Sequence, residues 1–78
     1  MFQTVLKIPQ MDCPSEEQMI RMKFDSNPDI LSLEFDLQNR TLSVIHNSEP
    51  GEIQNQLGSL KFSNEILESK KINSNLNL

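Results

Sequence analysis

Two helix-forming stretches, each opened by a proline, interrupt four segments in which apolar and polar residues alternate. That order leaves few ways for the chain to fold. Phe2-Gln3-Thr4-Val5-Leu6-Lys7-Ile8 puts Phe2, Thr4, Leu6 and Ile8 on one side and Gln3, Val5 and Lys7 on the other. Period two predicts a half-buried strand, and Pro9 ends it because proline has no N–H for a ladder. Pro14 suits the first position of a helix, with Asp12 or Cys13 as N-cap and Glu16 and Glu17 placing negative charge in the first turn. Ile20 and Phe24, four apart, give that helix its inward stripe, with Met19 and Met22 packing on its flanks. It closes near Asp25-Ser26-Asn27-Pro28.

Ile30–Asp36 alternates again, with Leu31, Leu33 and Phe35 on one face. Gln38-Asn39-Arg40 predicts a turn, and Thr41–His46 the returning strand of a hairpin, with Leu42 and Val44 facing inward. Pro50-Gly51 opens a second helix carrying Ile53, Leu57 and, at its far end, Leu60, with Gly58 as a candidate C-cap. Lys61–Leu67 predicts the last strand, although its alternation is imperfect. The order strand, helix, strand, strand, helix, strand is the split βαβ or ferredoxin-like pattern. It predicts an α+β fold whose four-stranded antiparallel sheet carries both helices on one face. Residues 1–68 form the expected domain, and 69–78, rich in Asn and Ser, an expected frayed tail.

The size agrees with one core: 78 residues suit a single small domain, which buries only about 60% of the surface exposed when unfolded. The four phenylalanines, Phe2, Phe24, Phe35 and Phe62, each fall inside a predicted element and read as core anchors. Seven Lys and Arg stand against eleven Asp and Glu, a net charge of −4, with no basic cluster beyond Lys70-Lys71. A nucleic-acid partner is therefore excluded, since binding phosphates needs a concentrated positive patch. No stretch approaches the roughly 20 apolar residues that insertion into a bilayer requires. Met1–Ile8 is not a continuous apolar run of the signal-peptide kind, so a cytoplasmic location is expected.

One cysteine, Cys13, rules out an internal disulfide and stands where a strand-like run passes into a helical one. Unpaired N–H groups and the helix dipole at such a place favour a thiolate, the form that binds metals. Asp12, Cys13 and Glu16 together make a mixed sulfur and oxygen donor set. Two thiolates would clasp soft Cu(I), whereas a thiolate with carboxylates suits Zn2+, which accepts both.

These segments resemble the heavy-metal-associated domain family of copper chaperones and metal-transporting P-type ATPases. The resemblance runs from about Gln3 to Leu67. Met11-Asp12-Cys13 matches the family's Met-x-Cys, and Ile20 and Phe24 fall at the core positions of its first helix. Pro28-Asp29-Ile30 resembles its Pro-Gly-Val step. Phe35-Asp36-Leu37 with Arg40-Thr41-Leu42-Ser43-Val44 resembles its hairpin, and Leu57-Gly58 with Lys61-Phe62 the end of its second helix. Two departures stand out: Gln10 replaces the Gly that usually precedes the Met, and Glu16 replaces the second cysteine of Cys-x-x-Cys. The resemblance implies metal transport or homeostasis, and a place for Met11 packed beneath the loop. Asp before the first cysteine occurs in family members that handle zinc and related divalent ions. Lys61 is implied at the Cys13 end of the domain.

The residues therefore predict weak or transient binding of Zn2+ or another divalent heavy-metal ion by Cys13, Asp12 and Glu16. The alternative is a degenerate, metal-free protein-interaction module that takes no ion. Expected partners are the metal ion and a metal-transporting ATPase or other protein, with the chain a monomer or a metal-bridged dimer through two Cys13 thiolates. No enzyme is expected. The only histidine, His46, ends a strand running away from the hairpin, about 17 Å from the Cys13 end at ~3.4 Å per residue. It is expected as an exposed loop residue, out of reach of Cys13. Two glycines, Gly51 and Gly58, make no phosphate-binding loop.

Overall fold

In the computed structural model, which describes residues 1–72, alternation in the first segment produces β1 (Phe2–Lys7) with Thr4, Leu6 and, just past its end, Ile8 fully buried. The other elements are α1 (Pro14–Asp25), β2 (Ile30–Asp36), β3 (Thr41–His46), α2 (Pro50–Ser59) and β4 (Glu65–Lys71). The strands form one sheet in the order β2-β3-β1-β4, with every neighbouring pair antiparallel. Ile20 and Phe24 of α1 and Ile53 and Leu57 of α2 join Leu6, Leu42 and Val44 in one buried cluster. Both helices thus cover the same face of the sheet, the ferredoxin-like α+β arrangement the element order predicts. Burial of each of these side chains contributes roughly 1.5–3 kcal/mol. Among the described residues, no helix is long and apolar enough to cross a membrane.

The hairpin between β2 and β3 turns through Leu37–Arg40, where the Arg40 N–H donates to the Leu37 carbonyl (3.3 Å). Asp36 organises the turn by accepting from the Asn39 side chain (2.8 Å) and its backbone N–H (3.1 Å). These bonds hold its carboxyl below the usual range. The Ile8 N–H donates to the Arg40 carbonyl (2.8 Å), which ties the turn to the end of β1.

Five details depart from the sequence expectations. Leu31 was expected inward with Leu33 and Phe35, but Ile30 pairs with His46 and Ser32 with Ile45, leaving Leu31 as an extra residue in a bulge. The bulge shifts the phase of the strand, so Ile30 packs on the core and Leu31 is 47% exposed. A second bulge explains the imperfect alternation of β4: Val5 pairs with Glu68 and Leu6 with Ile66, so Leu67 is extra. β4 also begins later and runs further than expected, with Ser69 to Lys71 pairing with Thr4 to Phe2 across the expected boundary at residue 68. The rest of the expected tail, residues 73–78, lies outside the described residues.

Met19 and Met22 do not pack. Ile20 and Phe24 fill the inward stripe of α1, leaving Met22 71% exposed. Gly58 lies within α2, and the helix is closed instead by a Schellman motif. The Lys61 N–H donates to the Gly58 carbonyl (2.8 Å) and the Phe62 N–H to the Leu57 carbonyl (3.1 Å). Lys61 takes the left-handed position, φ 66°, where a side chain is strained.

His46 is the fifth. It sits at the expected pole, paired with Phe2 at the start of β1, but it is fully buried. Leu42, Val44 and His46 form one inward series, so period two carries the ring into the interior. A threonine hydroxyl meets it there: Thr4 Oγ1 lies 2.7 Å from Nε2, while Nδ1 lies 2.8 Å from the Ser48 carbonyl. Ser48 can only accept, so Nδ1 carries the proton and Nε2 accepts from Thr4. Ser69 Oγ, 3.1 Å from Thr4 Oγ1, extends the chain to β4, and Phe2 stacks on the ring at 5.7 Å.

Two outcomes are expected. Lys61→Gly relieves the left-handed strain and raises unfolding stability by about 0.5–1 kcal/mol in urea denaturation. Burial lowers the His46 pKa below 6.5, against a smaller opposing effect of the Ser48 bond. The unfolded chain therefore binds the proton at higher pH than the folded one. Stability from the neutral ring is complete above pH 6.5 and declines as pH falls through that value toward the lower folded pKa. Urea midpoints measured from roughly pH 8 to 5 check this, and the decline in that range is smaller in His46→Gln.

Candidate metal centre

The loop between β1 and α1 is built from the core outward. Pro9 breaks the ladder, and the Met11 N–H then donates back to the Ile8 carbonyl (2.9 Å). This turn drops the Met11 side chain into the interior, where it is fully buried, as the resemblance implies. The Asp12 N–H donates to the Gln10 carbonyl (3.1 Å), which leaves the Asp12 side chain on the outside. Cys13 follows in extended conformation (φ −149°, ψ 163°) as the N-cap of α1, with Pro14 opening the helix.

At the N-cap and the third helical residue, Cys13 and Glu16 occupy the spacing of a capping box. Instead of capping the backbone, their side chains meet each other: the Cys13 thiol donates to Glu16 Oε1 at 2.6 Å. Ser15 Oγ lies 3.0 Å from the same sulfur, a contact the sequence reading missed. The donor atoms of Asp12, Cys13 and Glu16 all lie within 4.8 Å of one another, with Asp12 exposed and the other two half-buried. All three expected site residues are thus together. Glu17 is directed elsewhere, bonding Arg21 Nε at 2.9 Å, while the Arg21 guanidinium lies 4.6 Å from the centre of the Phe35 ring.

The donor set fits a divalent ion. Around a tetrahedral Zn2+, with Zn–S about 2.3 Å and Zn–O about 2.1 Å, sulfur and oxygen stand ~3.6 Å apart. The Cys13–Glu16 pair is about 1 Å tighter than that and the widest separation about 1 Å looser. An ion entering here replaces the thiol proton, because only the thiolate is a ligand. Three donors leave a fourth tetrahedral position for water or a partner's ligand.

Gln10, marked in the sequence only by the absence of the family glycine, joins this loop to the connection after α2. Its Nε2 donates to the Lys61 carbonyl (3.2 Å), and its Oε1 accepts from the Ser63 N–H (2.7 Å). The Lys61 main chain therefore lies beside the β1–α1 loop, at the end of the domain the resemblance implies.

Residues 5–63 match the family model for the heavy-metal-associated domain, and the chain belongs to that family. Its fold is shared by oxidized MerP from Ralstonia metallidurans CH34, at 8% identity and TM-score 0.76, covering 87% of this chain and 100% of that one. The yeast copper transporter domain Ccc2a is similar at 16% identity and TM-score 0.77, covering 87% and 97%. The N-terminal domain of ZntA in its Zn(II) form is similar at 13% identity and TM-score 0.77, covering 90% and 97%. No curated protein matches the sequence. Cys13 has no histidine beside it, since His46 lies at the other end of β1.

Restoring a second thiol tests how far Glu16 sets the metal preference. Glu16→Cys is expected to raise Cu(I) affinity by on the order of 100-fold or more, measured by competition with a chromophoric Cu(I) chelator.

Proposed function

We propose that this domain takes up Zn2+ or a similar divalent heavy-metal ion, weakly and transiently, as cargo in metal transport or homeostasis. Cys13 supplies the thiolate, and Asp12 and Glu16 supply carboxylate oxygens. The observation that carries this reading is the convergence of the three donors on a single helix start. Two hard oxygens beside one sulfur favour Zn2+ over Cu(I), and the Zn(II) form of the similar ZntA domain is in keeping with that preference.

An incomplete ligand set suits a carrier. The open fourth position lets an acceptor's ligand enter before the donors here let go, so transfer needs no free ion. The acceptor is a metal-transporting ATPase or another protein of the same pathway, a partner class in keeping with the similar copper-binding domain of the P-type ATPase HMA7. A second copy of this chain, offering its own Cys13, completes the same position as a metal-bridged dimer. A free thiol with no disulfide partner suits a reducing compartment, so the proposed location is the cytoplasm.

One observation favours a metal-free interaction module instead. The Cys13 thiol, Ser15 hydroxyl and Glu16 carboxylate already satisfy one another without an ion. Titration of reduced protein with Zn2+, Cd2+ and Cu(I), followed through backbone amide shifts, decides between the readings. The carrier reading expects shifts confined to Met11–Glu16 and their neighbours, and a loss of Zn2+ affinity of roughly 100-fold or more in Cys13→Ser. No response of that loop to millimolar Zn2+ sinks it.

A further inference from the structure

The residue that most departs from a simple loop is Gln10. Its side chain is exposed, yet both ends of its amide are engaged on one short stretch of main chain, 51 and 53 residues further along the sequence. The donor goes to the Lys61 carbonyl and the acceptor to the Ser63 N–H, so the amide pairs with the α2–β4 connection much as a neighbouring strand would. The same residue's backbone carbonyl receives the Asp12 N–H, in the turn that presents the first carboxylate of the donor set. Through one side chain and one carbonyl, Gln10 links the loop that would hold the ion to the strained residue that closes α2.

We propose that Gln10 is a positioning residue for the metal loop, which its side-chain amide staples to Lys61 and Ser63 so that ion uptake at Cys13 is both assisted by and felt at the α2–β4 connection. The inference rests on the metal-binding reading above. Ligands on a loop already held in place lose little freedom when an ion arrives, whereas ligands on a loose loop must be ordered by the ion itself. The staple supplies that order from a separate element. It also gives the domain a way to signal its load: a change in the Asp12–Cys13 turn pulls on Gln10, and Gln10 pulls on the Ser63 amide. The α2–β4 connection is then a second surface whose state differs between empty and loaded forms, available to a protein that must distinguish them.

The test combines amide hydrogen exchange of the metal-free protein with Zn2+ titration of the wild type, Gln10→Ala, Gln10→Asn and Cys13→Ser. Asparagine keeps the amide but is one methylene too short to reach both partners. The expected result is a Ser63 amide that is protected in metal-free wild type and in Cys13→Ser, and unprotected in both Gln10 variants. Zn2+ shifts the Ser63 resonance in the wild type but not in the Gln10 variants, whose Zn2+ affinity falls roughly tenfold. A wild-type response to Zn2+ with unchanged affinity and unchanged Ser63 behaviour in Gln10→Ala overturns this inference and leaves the metal reading standing. Absence of any Zn2+ response in the wild type overturns both.

Discussion

Everything at the candidate centre hangs on the burial of Met11. β1 delivers Leu6 and Ile8 to the interior by alternation, Pro9 then ends the ladder, and Met11 is the next side chain to enter the core. Between those two anchored residues the backbone has one short turn, closed by the Met11 N–H on the Ile8 carbonyl. The placement of Asp12 and Cys13 follows from it. Exposed loops hold donor atoms poorly unless something beneath fixes them, and a thioether in the core does so without adding a competing donor at the surface.

On that footing the change from a second thiol to Glu16 alters chemistry without altering architecture. Glu16 still stands at the third residue of α1, facing the N-cap, and the helix begins normally around Pro14. A carboxylate there accepts the thiol proton contact directly, giving the metal-free state a hydrogen bond that a pair of thiols forms only weakly. An incoming ion must therefore displace an existing partner. Of the three donors, the Cys13 and Glu16 side chains already hold one another, while the Asp12 carboxylate stands exposed.

Much of the fold was legible because alternation and proline placement are local signals. β1, β3 and the starts of both helices lie where Phe2–Ile8, Thr41–His46, Pro14 and Pro50 put them. Leu31 and Leu67 were not legible as bulges, since an extra residue is decided by the partner strand rather than by the strand that carries it. His46 was legible in principle: its inward register continues Leu42 and Val44, and its polar character hid that. Lys61 gave no sign of a left-handed cap, because glycine is the usual signature and Gly58 lies three residues too early. The donor set came together as its spacing implies. The Gln10 bonds, joining residues more than fifty apart, exist only once the core has brought the two loops side by side.

The two bulges have a bearing on how copies of this domain meet one another. β2 and β4 are the outer strands, and each carries its extra leucine along a border that would otherwise offer an unbroken row of N–H and C=O groups. A kinked border is a poor template for a further strand, so the sheet resists growing into a continuous ribbon or fibril.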